Sequence, residues 1–221
     1  MVKIAWWKDV IGGTASRLPN LTSHSRAYYV LLISLVAWVG ALGFGLRTLL
    51  LFSNTPGTQA SPPSLFPGDS PIRLSHDRAS LLVFIHPQCA CSGATLSELE
   101  QFLTCCGKQV ETTIFVYQPS SIPREWVESQ SGLWPTVRRL PGTRVVRDLD
   151  AVTARLFGAH ISGQTLLYDV NGRLAFSGGI TASRGHSGDN DGREALTAIV
   201  GNRVPRHRHT PVFGCALYGE R

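Results

Sequence analysis

The sequence predicts an α/β protein: a central mixed β-sheet flanked by helices, preceded by one transmembrane helix and a Pro/Ser-rich linker. Three observations carry this. The stretch AYYVLLISLVAWVGALGFGL, residues 27–46, holds no charge. Downstream, short apolar runs alternate with helix-period patterns in the order β-α-β, then β-α-β-β-α, which calls for a sheet with helices on its faces. Finally, Asn171-Gly172 sits between two strand patterns, a strong hairpin signal.

The 20 residues of 27–46 reach across about 30 Å of hydrocarbon at helical rise, and TLLLF after Arg47 extends the apolar span to Phe52. Lys3, Lys8, Arg17 and Arg26 precede it, so the positive-inside rule places residues 1–26 in the cytoplasm and everything after the span outside it. A cleaved signal peptide is the competing reading, but the run exceeds a usual apolar core and the nearest small-residue site, TQA at 58–60, lies far downstream. Residues 53–72, rich in Pro, Ser and Gly, read as a linker. Residues 73–202 then form the folded domain, and 203–221 a basic C-terminal tail containing Cys215. The net charge of +6 sits largely before the span and in RVPRHRH at 203–209, with no aromatic interleaving of the kind a nucleic-acid platform uses.

Within the domain, SLLVFIH (80–86) and TTIFVY (112–117) are continuous apolar runs, the pattern of strands buried on both faces. Between them Leu96, Leu99, Phe102 and Leu103 recur at helical spacing, and Thr95 with Glu98 has the capping-box pattern. A partly helical excursion with Trp126 and Trp134 follows, then a short strand TRVVRD (143–148). AVTARLFG (151–158) is a short helix closed by Gly158, QTLLYDVNGRLAFSGG (164–179) the hairpin, and GREALTAIVG (192–201) the last helix. No internal repeat is present, which excludes a solenoid.

Four of the five cysteines, Cys89, Cys91, Cys105 and Cys106, crowd one region, and Cys215 stands near the end. An odd count argues against a simple disulfide framework. Cys89 and Cys91 fall where a buried strand gives way to a helix. Unpaired N–H groups and the helix dipole favour a thiolate there. Outside the cytoplasm such a pair is more plausibly redox-active than among reduced cytosolic thiols.

The strand ending at PQCACS, the segment FGAHISGQTLLYDVNGRLAFSGGITASRGHSGDNDG and the ending TPVFGCAL resemble the thioredoxin superfamily in its membrane-anchored, TlpA and peroxiredoxin-like branch. More narrowly, they resemble the bacterial RedB-type thioredoxin-like proteins, over most of residues 75–217. The resemblance implies a thioredoxin-like domain held at the bacterial inner membrane and facing the periplasm. It also implies a thiol-disulfide oxidoreductase that works on exported proteins, with a thiol protein as redox partner. The chain departs from the superfamily's Cys-x-x-Cys in having Cys89-Ala90-Cys91. Where a cis-proline is expected it has Gln164 after Gly163, and a trans peptide is expected there, because a non-proline cis bond costs about 3 kcal/mol.

On this reading Cys89 is the attacking thiol, Cys91 the resolving one and Cys215 a third redox partner, with no cofactor. A disulfide across the CxC pair would be strained and easily reduced. Cys105 and Cys106 end the helix, where neighbouring side chains point in different directions, and are expected to be structural thiols. Two alternatives stay open. Soft thiolates with an imidazole suit copper, which would use Cys89, Cys91, Cys215 and His186 for copper binding or delivery; His86 is a further candidate. The other alternative is a non-catalytic thioredoxin-like interaction module. His207 and His209 read as solvated, and DNDG at 189–192 lacks the downstream ligands of a calcium loop.

Overall fold

A computed structural model describes residues 23–58, 60–130 and 132–219. The expected cytoplasmic segment therefore lies, apart from residues 23–26, outside the described residues. Helix α1, Ser23–Asn54, contains the one stretch among the described residues, Ser25–Asn54, that is long and apolar enough to cross a membrane. Its side chains from Arg26 to Phe52 are almost all exposed, as lipid contact would require. Contacts divide the chain into a unit up to Thr48 and a unit from Leu49 onward.

The second unit is built on a five-stranded sheet in the order β3-β2-β1-β4-β5. Its strands are β1 (Ala79–Ile85), β2 (Val110–Gln118), β3 (Thr143–Leu149), β4 (Gln164–Tyr168) and β5 (Leu174–Gly178). β1 pairs in parallel with β2, and β2 with β3; β4 runs antiparallel to both β1 and β5. Successive β1 side chains serve opposite faces, so the run has no polar alternation. Leu81, Val83 and Ile85 face α2 (Ala90–Cys106), α4 (Leu133–Arg139) and α6 (Asp191–Val200), packing with Leu96, Leu99, Phe102, Trp134, Val137 and Leu196. Leu82 and Phe84 face the other way, onto Phe115, Phe157 and Tyr168 beside α5 (Val152–Leu156). Helix α3 (Arg124–Gln130) completes the excursion between β2 and β3. This is the thioredoxin-like mixed sheet expected from the sequence.

The β4–β5 hairpin forms around Asn171-Gly172 as expected, with residues 169–173 rather than a two-residue turn as its loop. Asp169 Oδ1 accepts from the N–H groups of Asn171 and Arg173, and Gly172 alone takes a positive φ, +76°. Two local readings change. The capping-box pair does not start α2, whose N-cap is Cys89; Glu98 lies mid-helix and fully buried. And residues 53–72, expected as a linker, lie against the domain. The N–H of Gly57 donates to Val212 O, Tyr168 Oη donates to Pro63 O, and Phe66 packs edge-on to Phe157 and Tyr168. Proline, serine and glycine remove regular structure from such a segment; they do not remove its apolar contacts. The tail behaves likewise, burying Val212, Phe213 and Leu217 and forming a bridge between Ile161 and Ala216.

Candidate active site

β1 delivers the chain to a tight turn, His86–Cys89, in which Cys89 N–H donates to His86 O (3.1 Å) and Ser92 N–H to Cys89 O (3.0 Å). Cys89 is the N-cap of α2, in extended conformation with φ −83° and ψ 117°. A hydroxyl pair fixes this corner. Ser162 Oγ accepts from His86 N–H (2.9 Å) and lies 2.9 Å from Ser92 Oγ, which donates to His86 O. The same residue holds the C-terminal segment, since Ser162 N–H donates to Cys215 O at 2.8 Å. Gly214, immediately before, passes so close to Ser162 O that a Cβ there would collide with it.

The result brings the three cysteines singled out in the sequence to one point. Cys215 N–H donates to Cys89 Sγ at 3.4 Å. Burial acts to raise the Cys89 pKa. The Cys215 thiol and the N–H groups of Cys215, Cys91 and Ser92 outweigh it, so Cys89 titrates below the ordinary thiol value. Its two neighbours move the other way. Cys91 is raised by burial and by the adjacent Cys89 charge, with the Arg184 cation and the Gly185 N–H pulling against this. Cys215 is raised to about 11, first by burial and then by donating to Cys89. Of the three thiols Cys89 is therefore the first to ionise, with Cys91 and Cys215 held protonated to higher pH.

Access runs opposite to ionisation. Cys89 is only 3% exposed, because the Cys215 segment lies against it, whereas Cys91 is half-buried and Cys215 exposed. The expected attacking thiol is thus the one a partner's disulfide reaches last.

Sequence reasoning missed three supporting residues. Arg184 donates from Nη1 to Gly214 O, lies 4.8 Å over the Phe52 ring, and its backbone N–H donates to Ser53 O at 3.0 Å. Glu98 accepts from Gly188 N–H (2.7 Å) and Asn190 Nδ2 (3.0 Å) and pairs with Arg193 Nε at 3.2 Å, pinning the loop that carries Arg184 and Gly185 to α2. Ser162 is the third. Ser162 reaches Ser92 across 70 residues of chain, and Glu98 reaches Gly188 and Asn190 across 90 and 92. The peptide before Gln164 is trans, as expected: no cis bond occurs among the described residues, and Gly163 takes φ +96°.

The candidate metal ligands are not gathered in the same way. His186 is exposed, and His86 stacks on Tyr117 while its Nδ1 accepts from Gln88 N–H at 3.2 Å. Burial lowers the His86 pKa. Among the described residues no group of three or more His, Cys, Asp or Glu side chains is arranged to hold a metal ion.

The fold and the position of the cysteines define a thioredoxin-like domain with its thiols at the strand-to-helix junction. Solved structures agree on the fold. The chain is similar to an uncharacterized conserved protein from Geobacillus kaustophilus, at 19% identity and TM-score 0.55 over 76% of this chain and 93% of that one. It is equally similar to a hypothetical protein from Sinorhizobium meliloti, at 21% identity and TM-score 0.54 over 76% and 96%. A secreted Mycobacterium tuberculosis disulfide oxidoreductase overlaps less, with 13% identity and TM-score 0.39 over 58% and 84%, too slight a likeness to bear on activity. No protein-family model and no curated protein sequence matches the chain.

Proposed function

We propose that this chain is a membrane-anchored, RedB-type thiol-disulfide oxidoreductase that exchanges electrons with cysteine pairs of exported proteins through Cys89, Cys91 and Cys215. The observation that carries the reading is the Cys89 sulfur at the start of α2, which accepts from Cys215 N–H at 3.4 Å and titrates below the ordinary thiol value. A thiolate is the species that exchanges with disulfides.

The pattern of exposure favours a particular order of events. The exposed Cys215 sulfur gives its proton to water and attacks a partner disulfide, and one partner sulfur leaves as thiolate. The Cys89 thiolate then attacks Cys215 in the mixed disulfide, the second partner sulfur leaves, and a Cys89–Cys215 disulfide remains. Two electrons have passed to the partner. Cys91, in contact with Cys89, is placed to reopen that bond by attacking Cys89. Arg184 and Gly185 lower the cost of ionising Cys91 for that step.

α1 serves in this reading as the anchor, with the domain in the periplasm. The test is turnover of a disulfide-bonded peptide with dithiothreitol as reductant. The full chain in detergent accelerates it and Cys89→Ser does not; equal rates for the two would overturn the proposal.

A further inference from the structure

The remaining two cysteines lie at the far end of α2, about 22 Å from Cys91 at helical rise, beyond direct exchange with the first site. On a continuing helix their side chains would diverge. They do not, because Cys106 leaves helical geometry, with φ −127° and ψ 1°, as the chain passes into the single 3₁₀ turn Gly107–Gln109. That rotation brings Cys106 Sγ to 2.6 Å from Cys105 Sγ. The expectation of two unrelated structural thiols is corrected by this departure from the helix.

We propose that Cys105 and Cys106 are a second redox site, a vicinal dithiol that disulfide oxidants convert to a Cys105–Cys106 disulfide. The two thiols divide the labour by position. Cys105 is exposed and its sulfur is within 3.2 Å of Phe102 O, so it meets an incoming disulfide first. Cys106 is buried, 8% exposed, with the Thr197 hydroxyl and the Arg203 cation acting on its titration. Burial and Cys105 hold it protonated, up to about 11, while Thr197 and Arg203 favour its thiolate.

In the reaction Cys105 thiolate attacks an oxidant R–S–S–R, forming a mixed disulfide and releasing one R–S⁻. Cys106 loses its proton to water and attacks Cys105 sulfur, releasing the second R–S⁻. Two electrons move from the dithiol to the oxidant. Adjacent Cα atoms stand about 3.8 Å apart, short of the roughly 4.4–6.8 Å that unstrained disulfides span. The ring is therefore strained and readily reduced, the property of a reversible rather than a structural bond.

The test uses the full chain carrying Cys89→Ser, Cys91→Ser and Cys215→Ser, so that only Cys105 and Cys106 remain. It is exposed to oxidised glutathione, trapped by alkylation and mapped by mass spectrometry. The expected result is loss of both free thiols with two hydrogens lost per chain, no retained glutathione and full recovery on reduction. Adding Cys106→Ser should make a glutathione adduct accumulate on Cys105. A stable adduct on Cys105 with Cys106 still alkylatable in the two-cysteine chain, or a disulfide between chains, would overturn the proposal. Mapping the peptide containing both residues from the unsubstituted chain gives the same decision should the triple variant not fold. Neither result depends on activity at Cys89.

Discussion

Replacing Glu98 with alanine probes how the active-site loop is held. The carboxylate is fully buried and takes four partners, Gly188 N–H, Asn190 Nδ2, Gln101 Nε2 and Arg193 Nε. Breaking a buried ion pair costs about 3–5 kcal/mol when the remaining charge is stranded. Arg193 is not wholly stranded, since its side chain is 22% exposed and also reaches Asp189 and Gln101. The lower end, about 3 kcal/mol, is therefore expected for Glu98→Ala. With a urea slope of about 1–3 kcal/mol per molar, the unfolding midpoint falls by about 1–3 M. Glu98→Gln keeps an acceptor for Gly188 and should lose less. The assay is equilibrium urea unfolding followed by tryptophan fluorescence. A Glu98→Ala midpoint within about 0.3 M of the parent, equivalent to under about 1 kcal/mol, would refute the view that this carboxylate clamps the loop.

Further outcomes concern the thiols. Because Cys89 titrates below the ordinary thiol range, its thiolate ultraviolet absorbance, taken as parent minus Cys89→Ser, should persist as pH falls below that range and disappear only at the lowered value. Cys215→Ala removes the S–H donor and should move that midpoint upward; an unmoved midpoint would mean the Cys215 thiol does not stabilise the charge. Arg184→Gln removes a cation that favours ionisation of Cys91 and Cys215, so the pH midpoint for alkylating Cys91 should rise, with Arg184→Lys closer to the parent. A midpoint unchanged in Arg184→Gln would remove Arg184 from the site's electrostatics. Gly214→Ala drives a Cβ into Ser162 O and should cost about 1–3 kcal/mol by thermal or urea unfolding while displacing Cys215. A neutral substitution would show that the tail adjusts freely.

Local signals were readable in the sequence where structure is local. The buried runs at 80–86 and 112–117 became β1 and β2 because a strand covered on both faces is predominantly apolar. The cysteines at the start of α2 and the αL glycine after α5, Gly158 with φ +62°, were legible for the same reason. Glu98 was misread because Thr-x-x-Glu is a local pattern, whereas its partners lie some ninety residues on, in a loop whose position only the fold determines. Ser162 and Arg184 carry no motif at all. The segments 53–72 and 203–221 were judged by composition, which reports the absence of regular structure but not the few apolar anchors, Phe66, Ile72, Val212 and Leu217, that fasten them. The approach of Cys105 to Cys106 depended on one non-helical φ at a helix end, a boundary that spacing does not resolve.

The most direct test is the identity of the first disulfide formed when the purified, fully reduced chain is given one equivalent of a small disulfide oxidant, trapped in acid and mapped for Cys89, Cys91 and Cys215. The account predicts that Cys89 is consumed in a bond to Cys215 while Cys91 is recovered as a free thiol. Recovery of Cys89 as a free thiol, with the other two oxidised, would contradict it.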